Sequence, residues 1–158
     1  MILAIDPGKT GAIALVDRQG ILVDVADLEP LYAGPVLSPS LLRATILDLC
    51  CDLPGEVWAC VVEAVNSHGM GRQSAFNFGQ SLGTCRSVPV CLGIRVVDVT
   101  PTTWKRAMAL TADKDVARAR AADRWPDHAD KFRRVKDDGR AEAALLACWW
   151  REFGTVAA

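Results

Sequence analysis

Short apolar runs separated by turn residues dominate the first part of the chain. The run Ile2–Asp6 ends in an acid and precedes Pro7-Gly8, which predicts a buried strand that closes in a turn. Apolar residues at alternating or neighbouring positions in Gly11–Asp17 and Ile21–Ala26 predict two more strands. Because the links between these strands are short, we expect an antiparallel three-stranded meander.

Helical and strand patterns alternate through the rest of the chain. Leu28–Pro39 contains three prolines and a glycine, which predicts a surface loop before a helix that is capped by Ser40 and runs to about Asp52. The remaining predicted elements are strands over Val57–Glu63 and Ile94–Val99 and helices over about Ser74–Ser87, Pro101–Leu110, Asp113–Trp125 and Ala141–Trp150. This order predicts an α/β fold, a mixed sheet covered by helices, in a single domain spanning residues 1–158.

Composition narrows the class of protein. The 158 residues are 51% apolar and 23% charged, which favours one folded domain with a core and argues against disorder or a fibrous fold. No apolar run approaches the ~20 residues that span a bilayer, and no basic, hydrophobic leader is visible, so we expect a cytoplasmic protein without membrane contact. The six cysteines lack a Cys-x-x-Cys pair and are expected to be buried hydrophobes rather than a zinc or redox site.

Charge is unevenly distributed along the chain, although the net charge is only −1. Residues 1–65 hold nine acids and three bases, whereas residues 95–140 hold twelve bases and eight acids. The basic half is compatible with binding to a polyanion, but taken alone it favours a solvated helix surface, the more common explanation of such a charge run.

Two predicted strands end in a carboxylate directly before a turn, at Asp6 and Glu63. If these strands are neighbours, their ends bring both acids to one edge of the sheet. Two carboxylates placed together need a cation, and oxygen ligands suit a hard divalent metal. Alternatively, each acid simply marks a strand end in solvent.

The last predicted helix adds two more acids. Asp138 and Glu142 are four residues apart, so a turn of ~100° per residue places both on one helix face. Asp137 lies about 140° from Glu142 and remains an alternative to Asp138. Capping of the helix would also explain these acids. Four carboxylates from two strand ends and one helix start resemble a two-metal nuclease site, whereas His68 and His128 lack the spacing of a zinc site.

Four segments, in the same order and spacing, resemble RuvC-type Holliday junction resolvases of the RNase H-like superfamily. The segments are Ile2–Gly8, Val61–Glu63, Phe78–Gly83 and Asp138–Ala147. The resemblance covers nearly the whole chain and includes similarity to phage-borne members. It implies a five-stranded mixed sheet, a homodimer, and Mg²⁺- or Mn²⁺-dependent symmetric nicking of four-way DNA junctions.

The resemblance also implies roles for individual residues. Two lysines match positions near DNA: Lys105 as a DNA-contacting base and Lys114 as a catalytic lysine close to the scissile phosphate. The implied metal ligands are Asp6, Glu63, Asp138 and Glu142. The family's closing pair is commonly two aspartates three apart, whereas this chain has an aspartate and a glutamate four apart, and the longer Glu side chain changes the reach of the pair.

Further residues are expected to contact DNA. The loop Asn66–Gln73 corresponds to the segment that resolvases push into the junction, and its candidates, with the helix start that follows, are His68, Met70, Arg72 and Phe76. Arg106 and Arg118 belong to the basic stretch expected to follow phosphates, and Trp104 is a candidate for base stacking because Lys105 and Arg106 follow it.

The same residues are compatible with two alternative functions. One is an RNase H-like nuclease that acts on forks, flaps or RNA–DNA hybrids. The other is a catalytically silent nucleic-acid-binding module that keeps the scaffold.

Overall fold

The computed structural model describes residues 1–65, 69–111 and 113–154. Its strands and α-helices are, in chain order, β1 (Ile2–Asp6), β2 (Ala12–Val16), β3 (Leu22–Asp27), β4 (Tyr32–Ala33), β5 (Val36–Leu37), α1 (Pro39–Leu49), β6 (Ala59–Glu63), α2 (Arg72–Cys91), β7 (Val96–Val99), α3 (Pro101–Ala107), α4 (Lys114–Arg124) and α5 (Asp138–Phe153). Short 3₁₀ helices connect several of them.

A five-stranded mixed sheet forms the centre of the fold, as the sequence predicts. Its strand order is β3-β2-β1-β6-β7, with β1, β2 and β3 antiparallel and with β6 and β7 running parallel to β1. Ile5 of β1 pairs with Val62 of β6. The residues that follow this pair, Asp6 and Glu63, are the last residues of their strands and therefore lie side by side at the same edge of the sheet.

Helices cover both faces of the sheet, so the central strands are buried on both sides. On one face, Ala4, Ala14 and Val61 pack in a core with residues of α3, α4 and α5. On the other face, Leu3 and Ile5 pack in a core with residues of α1 and α2. Successive side chains of a strand point to opposite faces of the sheet, so each strand contributes residues to both cores.

Several element boundaries differ from the sequence prediction. The α1 helix starts at Pro39, because the Ser38 side chain accepts the cap hydrogen bond from the Leu41 N–H at 3.4 Å, so Ser40 is not the cap. The predicted loop contains the short β4–β5 hairpin, which Ser81 of α2 holds by accepting a hydrogen bond from the Leu37 N–H at 3.1 Å. The α2 helix is longer than predicted at both ends and includes Pro89 in its last turn.

The cysteine prediction is only partly correct. Four cysteines are buried, but Cys51 and Cys91 are exposed. Cys51 follows the end of α1 and Cys91 is the last residue of α2, where the chain turns outward before the next strand. Within the described ranges, no helix is both long and apolar enough to cross a bilayer.

A candidate metal centre at the sheet edge

Three carboxylates from distant parts of the chain meet at the carboxyl end of β1 and β6. Asp6 ends β1, Glu63 ends β6, and Glu142 lies in the second turn of α5. One oxygen of each carboxylate lies within 4.8 Å of the others. The parallel pairing of β1 with β6 supplies two of them, and the packing of α5 across the sheet supplies the third.

Two glycines make close backbone contacts where the start of α5 meets the β1–β2 turn. A Cβ at Gly139 would lie 2.5 Å from the carbonyl oxygen of Thr10, and a Cβ at Gly11 would lie 2.0 Å from the carbonyl oxygen of Asp6. Both contacts are to backbone, which cannot rotate away as a flexible side chain can. Glycine at position 11 therefore lets the turn fold back on Asp6, and glycine at position 139 lets the start of α5, the helix that carries Glu142, approach this turn.

The electrostatics of the cluster favour a bound cation. Burial raises the pKa of Asp6 well above its usual value, and the carboxylates of Glu63 and Glu142 raise it further. Burial also raises the pKa of Glu63, although a hydrogen bond from Trp104 and the charge of Lys105 oppose the rise. A divalent ion would relieve this repulsion, and a donor set made only of carboxylate oxygens fits the preference of Mg²⁺ or Mn²⁺.

Two lysines contact the acids. The Nζ of Lys105 donates to Oε1 of Glu142 at 2.8 Å, and the Nζ of Lys114 forms an ion pair with Asp138. In the described part of the chain, Asp138 is not among the three acids that lie within mutual reach, but it is close enough to raise the pKa of Asp6. All four predicted acids thus lie in the same region. Three of them form the cluster, and Asp138 lies beside it in an ion pair with Lys114.

Asp137 faces away from the cluster. Its side chain is fully buried and accepts hydrogen bonds from the Arg134 backbone N–H at 2.7 Å and from the Arg134 guanidinium at 2.8 and 3.0 Å. The neighbouring Arg140 binds Asp27 through two hydrogen bonds of 2.6 Å. The Asp137 carboxylate is thus occupied by Arg134, whereas Asp138 lies close enough to Asp6 to raise its pKa.

Trp104 is placed differently from the sequence prediction. Its side chain is fully buried, and its indole Nε1 donates a hydrogen bond to Oε1 of Glu63 at 2.8 Å. The expectation of base stacking is wrong, because this face of α3 packs into the core. Met108, four residues later, is also buried, and this helical spacing of two apolar residues is the signal that could have predicted it.

Two open clefts flank the acidic cluster, and Lys114 borders both. The first cleft, about 520 Å³, is lined by Lys105, Arg106, Lys114 and Glu142 among others. The second, about 490 Å³, includes Lys114 and Arg118. The Arg118 side chain is only 12% exposed and is held by Asp115 at 2.6 Å and by the Val135 carbonyl at 3.0 Å.

The residues predicted to enter a junction lie at the start of α2. Met70, Arg72 and Phe76 are all exposed, with Phe76 61% exposed despite its aromatic ring. Met70 borders a further cleft that also contains Lys9, which in turn borders the second cleft beside Lys114. His68 lies outside the described residues.

Comparisons with known proteins agree with this architecture at the level of the fold. No protein-family model and no curated protein sequence matches the chain. A solved structure of Thermus thermophilus RuvC in complex with a Holliday junction substrate is 18% identical, with a TM-score of 0.66 over 94% of this chain and 90% of that one. A second Thermus thermophilus RuvC structure is 19% identical, with a TM-score of 0.62 over 98% of this chain and 96% of that one. The chain therefore has the RNase H-like fold of RuvC, as its motifs predict.

Proposed function

We propose that this protein is a divalent-metal-dependent endonuclease that resolves four-way (Holliday) DNA junctions by paired symmetric nicks. The observation that carries the proposal is the convergence of Asp6, Glu63 and Glu142, whose oxygens lie within 4.8 Å of one another at the edge of a RuvC-like sheet. The RuvC neighbour in complex with a Holliday junction supports the choice of substrate.

The acidic cluster is the proposed metal centre. Asp6, Glu63 and Glu142 would hold Mg²⁺ or Mn²⁺, and Asp138 would join them when Lys114 leaves it for the substrate. Divalent ions bound there would supply an activated water and stabilise the leaving oxygen of the phosphodiester. Glu63 is buried and Asp6 and Glu142 are half-buried, which restricts the directions of their side chains.

The lysines have the reach and the chemistry to bind the phosphate being cut. Lys114 is 63% exposed at the boundary between the two clefts, so its ammonium group can swing from Asp138 to a phosphate. An ammonium at this point would offset the negative charge that develops on the phosphate during cleavage. Lys105 and Arg106 line the first cleft and would follow the adjacent phosphates, with Arg118 on the side of the second cleft.

Junction recognition is proposed for the start of α2. Phe76 and Met70 expose apolar surface beside the cationic Arg72, a combination suited to an unpaired base and its phosphate. The described residues of each chain hold one acidic cluster within mutual reach, whereas paired nicks cut two strands. A homodimer, acting on branched DNA in the cytoplasm, would supply the two centres.

The direct test is cleavage of a synthetic four-way junction, labelled on each strand in turn, in the presence of Mg²⁺. The wild type is expected to nick two opposing strands at symmetric positions. Asp6→Asn and Glu63→Gln should lose cleavage but retain junction binding, because they remove metal ligands and leave the basic clefts intact. Asp48→Asn is the matched control: it makes the same substitution at an exposed position of α1, on the other face of the sheet.

Each outcome discriminates among the functions. Cleavage that persists in Asp6→Asn would contradict the proposed centre. Equal rates on four-way, three-way, flap and RNA–DNA hybrid substrates would reject specialisation for junctions in favour of a broader nuclease. Junction binding without binding of Mg²⁺ would indicate a catalytically silent module.

A further inference from the structure

We infer that Trp104 is a positioning residue that sets the metal affinity of the acidic cluster by orienting Glu63. The inference rests on the proposed function, because it concerns how the same centre holds its ion. Trp104 lines neither of the two clefts and would act only through the Glu63 carboxylate.

The contact between the two residues is short, buried and directional. The Trp104 side chain is fully buried, and Glu63 is 5% exposed as a residue. The indole Nε1 donates to Oε1 of Glu63 at 2.8 Å, across 41 positions of sequence. A carboxylate has about four acceptor sites, so one such bond fixes its orientation and leaves sites for a cation. Metal-binding carboxylates are commonly held in this way.

The other buried tryptophans show that the core alone does not require this contact. Trp125, also buried, donates its indole N–H to the backbone carbonyl of Gly20 at 2.9 Å. Trp149 is buried with no hydrogen-bond partner for its indole nitrogen in the parts of the chain that the structure describes. Among these three, Trp104 is the one that donates to an acid of the cluster.

The neighbouring residue on α3 makes a parallel contact. Lys105 donates to Oε1 of Glu142 at 2.8 Å, and its ammonium nitrogen lies 5.3 Å from the centre of the Trp104 ring. Consecutive residues of one short helix thus hold a carboxylate of β6 and a carboxylate of α5. The two contacts differ in how easily they can break. The Lys105 ammonium is half-buried and borders a cleft, so it can exchange Glu142 for solvent or phosphate, whereas the buried indole cannot leave its acceptor without unpacking the core.

The first experiment compares Mn²⁺ binding, measured by isothermal titration calorimetry, in the wild type, Trp104→Phe and Trp125→Phe. Both variants replace a buried indole donor with a smaller ring in the same core, so both are expected to lose stability. Trp104→Phe should weaken Mn²⁺ binding about 10- to 100-fold, the usual effect of removing a partner of a metal ligand. Trp125→Phe should bind Mn²⁺ with the affinity of the wild type.

A second measurement requires metal binding by the wild-type protein only. In ¹⁵N-labelled wild type, the indole resonance of Trp104, identified by its absence from the spectrum of Trp104→Phe, should move as Mg²⁺ saturates the protein. The resonance of Trp125, assigned in the same way, should stay in place. If either variant fails to fold, tryptophan indole resonances assigned by through-bond experiments on the wild type give the same answer.

The outcomes separate this inference from the proposed function. Equal Mn²⁺ affinities for the two variants, or a Trp104 resonance unmoved at saturating Mg²⁺, would overturn the positioning role while the metal centre stands. A wild type that binds no Mn²⁺ would overturn both.

Discussion

The close approach of α5 to the β1–β2 turn can be tested with Gly139→Ala. The added Cβ would lie 2.5 Å from the Thr10 carbonyl oxygen and 3.0 Å from Gly11 Cα, and both neighbours are backbone atoms. Overpacking of this kind costs about 1–3 kcal/mol, against at most about 1 kcal/mol gained from the better helix propensity of alanine. We therefore expect a net loss of up to about 2 kcal/mol in the free energy of unfolding, or up to several degrees in Tm.

The same substitution should also impair the site, because α5 carries Glu142 away from Asp6 when its start is displaced. A displacement of about 1 Å can lower a rate of reaction about 100-fold, so junction cleavage should fall well beyond the loss of stability. Stability is measured by urea denaturation and cleavage on the four-way junction with Mg²⁺.

Gly83→Ala is the matched control for this experiment. Gly83 is an exposed glycine within α2, and a Cβ there would meet no atom within 4 Å. Its replacement should stabilise the protein by up to about 1 kcal/mol and leave cleavage unchanged. If Gly139→Ala were as stable and as active as Gly83→Ala, the role given to the glycine contact would be refuted.

Three further predictions concern the cysteine thiols, the ion pair of Asp137 with Arg134, and the exposed ring of Phe76. With Ellman's reagent, two thiols of the folded protein, Cys51 and Cys91, should react quickly and the other four only on unfolding; more than two fast thiols would contradict the observed burial. Burial opposes ionisation of Asp137, but hydrogen bonds from the arginine three residues earlier outweigh it and lower the pKa of this carboxyl. Its stabilising effect is therefore present above the unfolded pKa of about 3.9 and lost as the pH falls through the lower folded value. Asp137→Asn should cost about 1.5–3 kcal/mol at pH 7, measured by urea denaturation, and the difference from wild type should shrink below about pH 4; a difference independent of pH would argue against the ion pair. Phe76→Ala should weaken four-way junction binding in a gel-shift assay by about 1–3 kcal/mol, whereas Phe153→Ala, which removes a ring of similar exposure (55%), should not, and equal losses would argue against stacking.

Local patterns were sufficient to predict the sheet and the acids that it presents. An apolar run that ends in an acid before a turn predicts a strand whose last residue is that acid. Asp6 and Glu63 could therefore be named as candidate metal ligands from the sequence. The angle between helix positions likewise favoured Asp138 over Asp137. These predictions could be made from the sequence because each depends on residues close together in the chain.

The features that sequence reasoning missed depend on packing between distant segments. The hydrogen bond from Trp104 to Glu63 joins α3 to β6, and the basic residues that follow Trp104 pointed instead to a surface role. The contact of Gly139 with Thr10 exists only when α5 is laid against the β1–β2 turn. The separation of Asp138 from the other three acids arises from its pairing with Lys114, a residue 24 positions earlier.

The central claim, that Asp6, Glu63 and Glu142 together hold a divalent ion, is tested most directly by locating Mn²⁺ in crystals of the protein from its anomalous scattering. We predict an anomalous peak between these three carboxylates, within bonding distance of an oxygen from each. The same crystals grown from Glu142→Gln should show a weaker peak there or none. A wild-type crystal at saturating Mn²⁺ with no peak among the three acids, or with Mn²⁺ bound only to other carboxylates, would contradict the account.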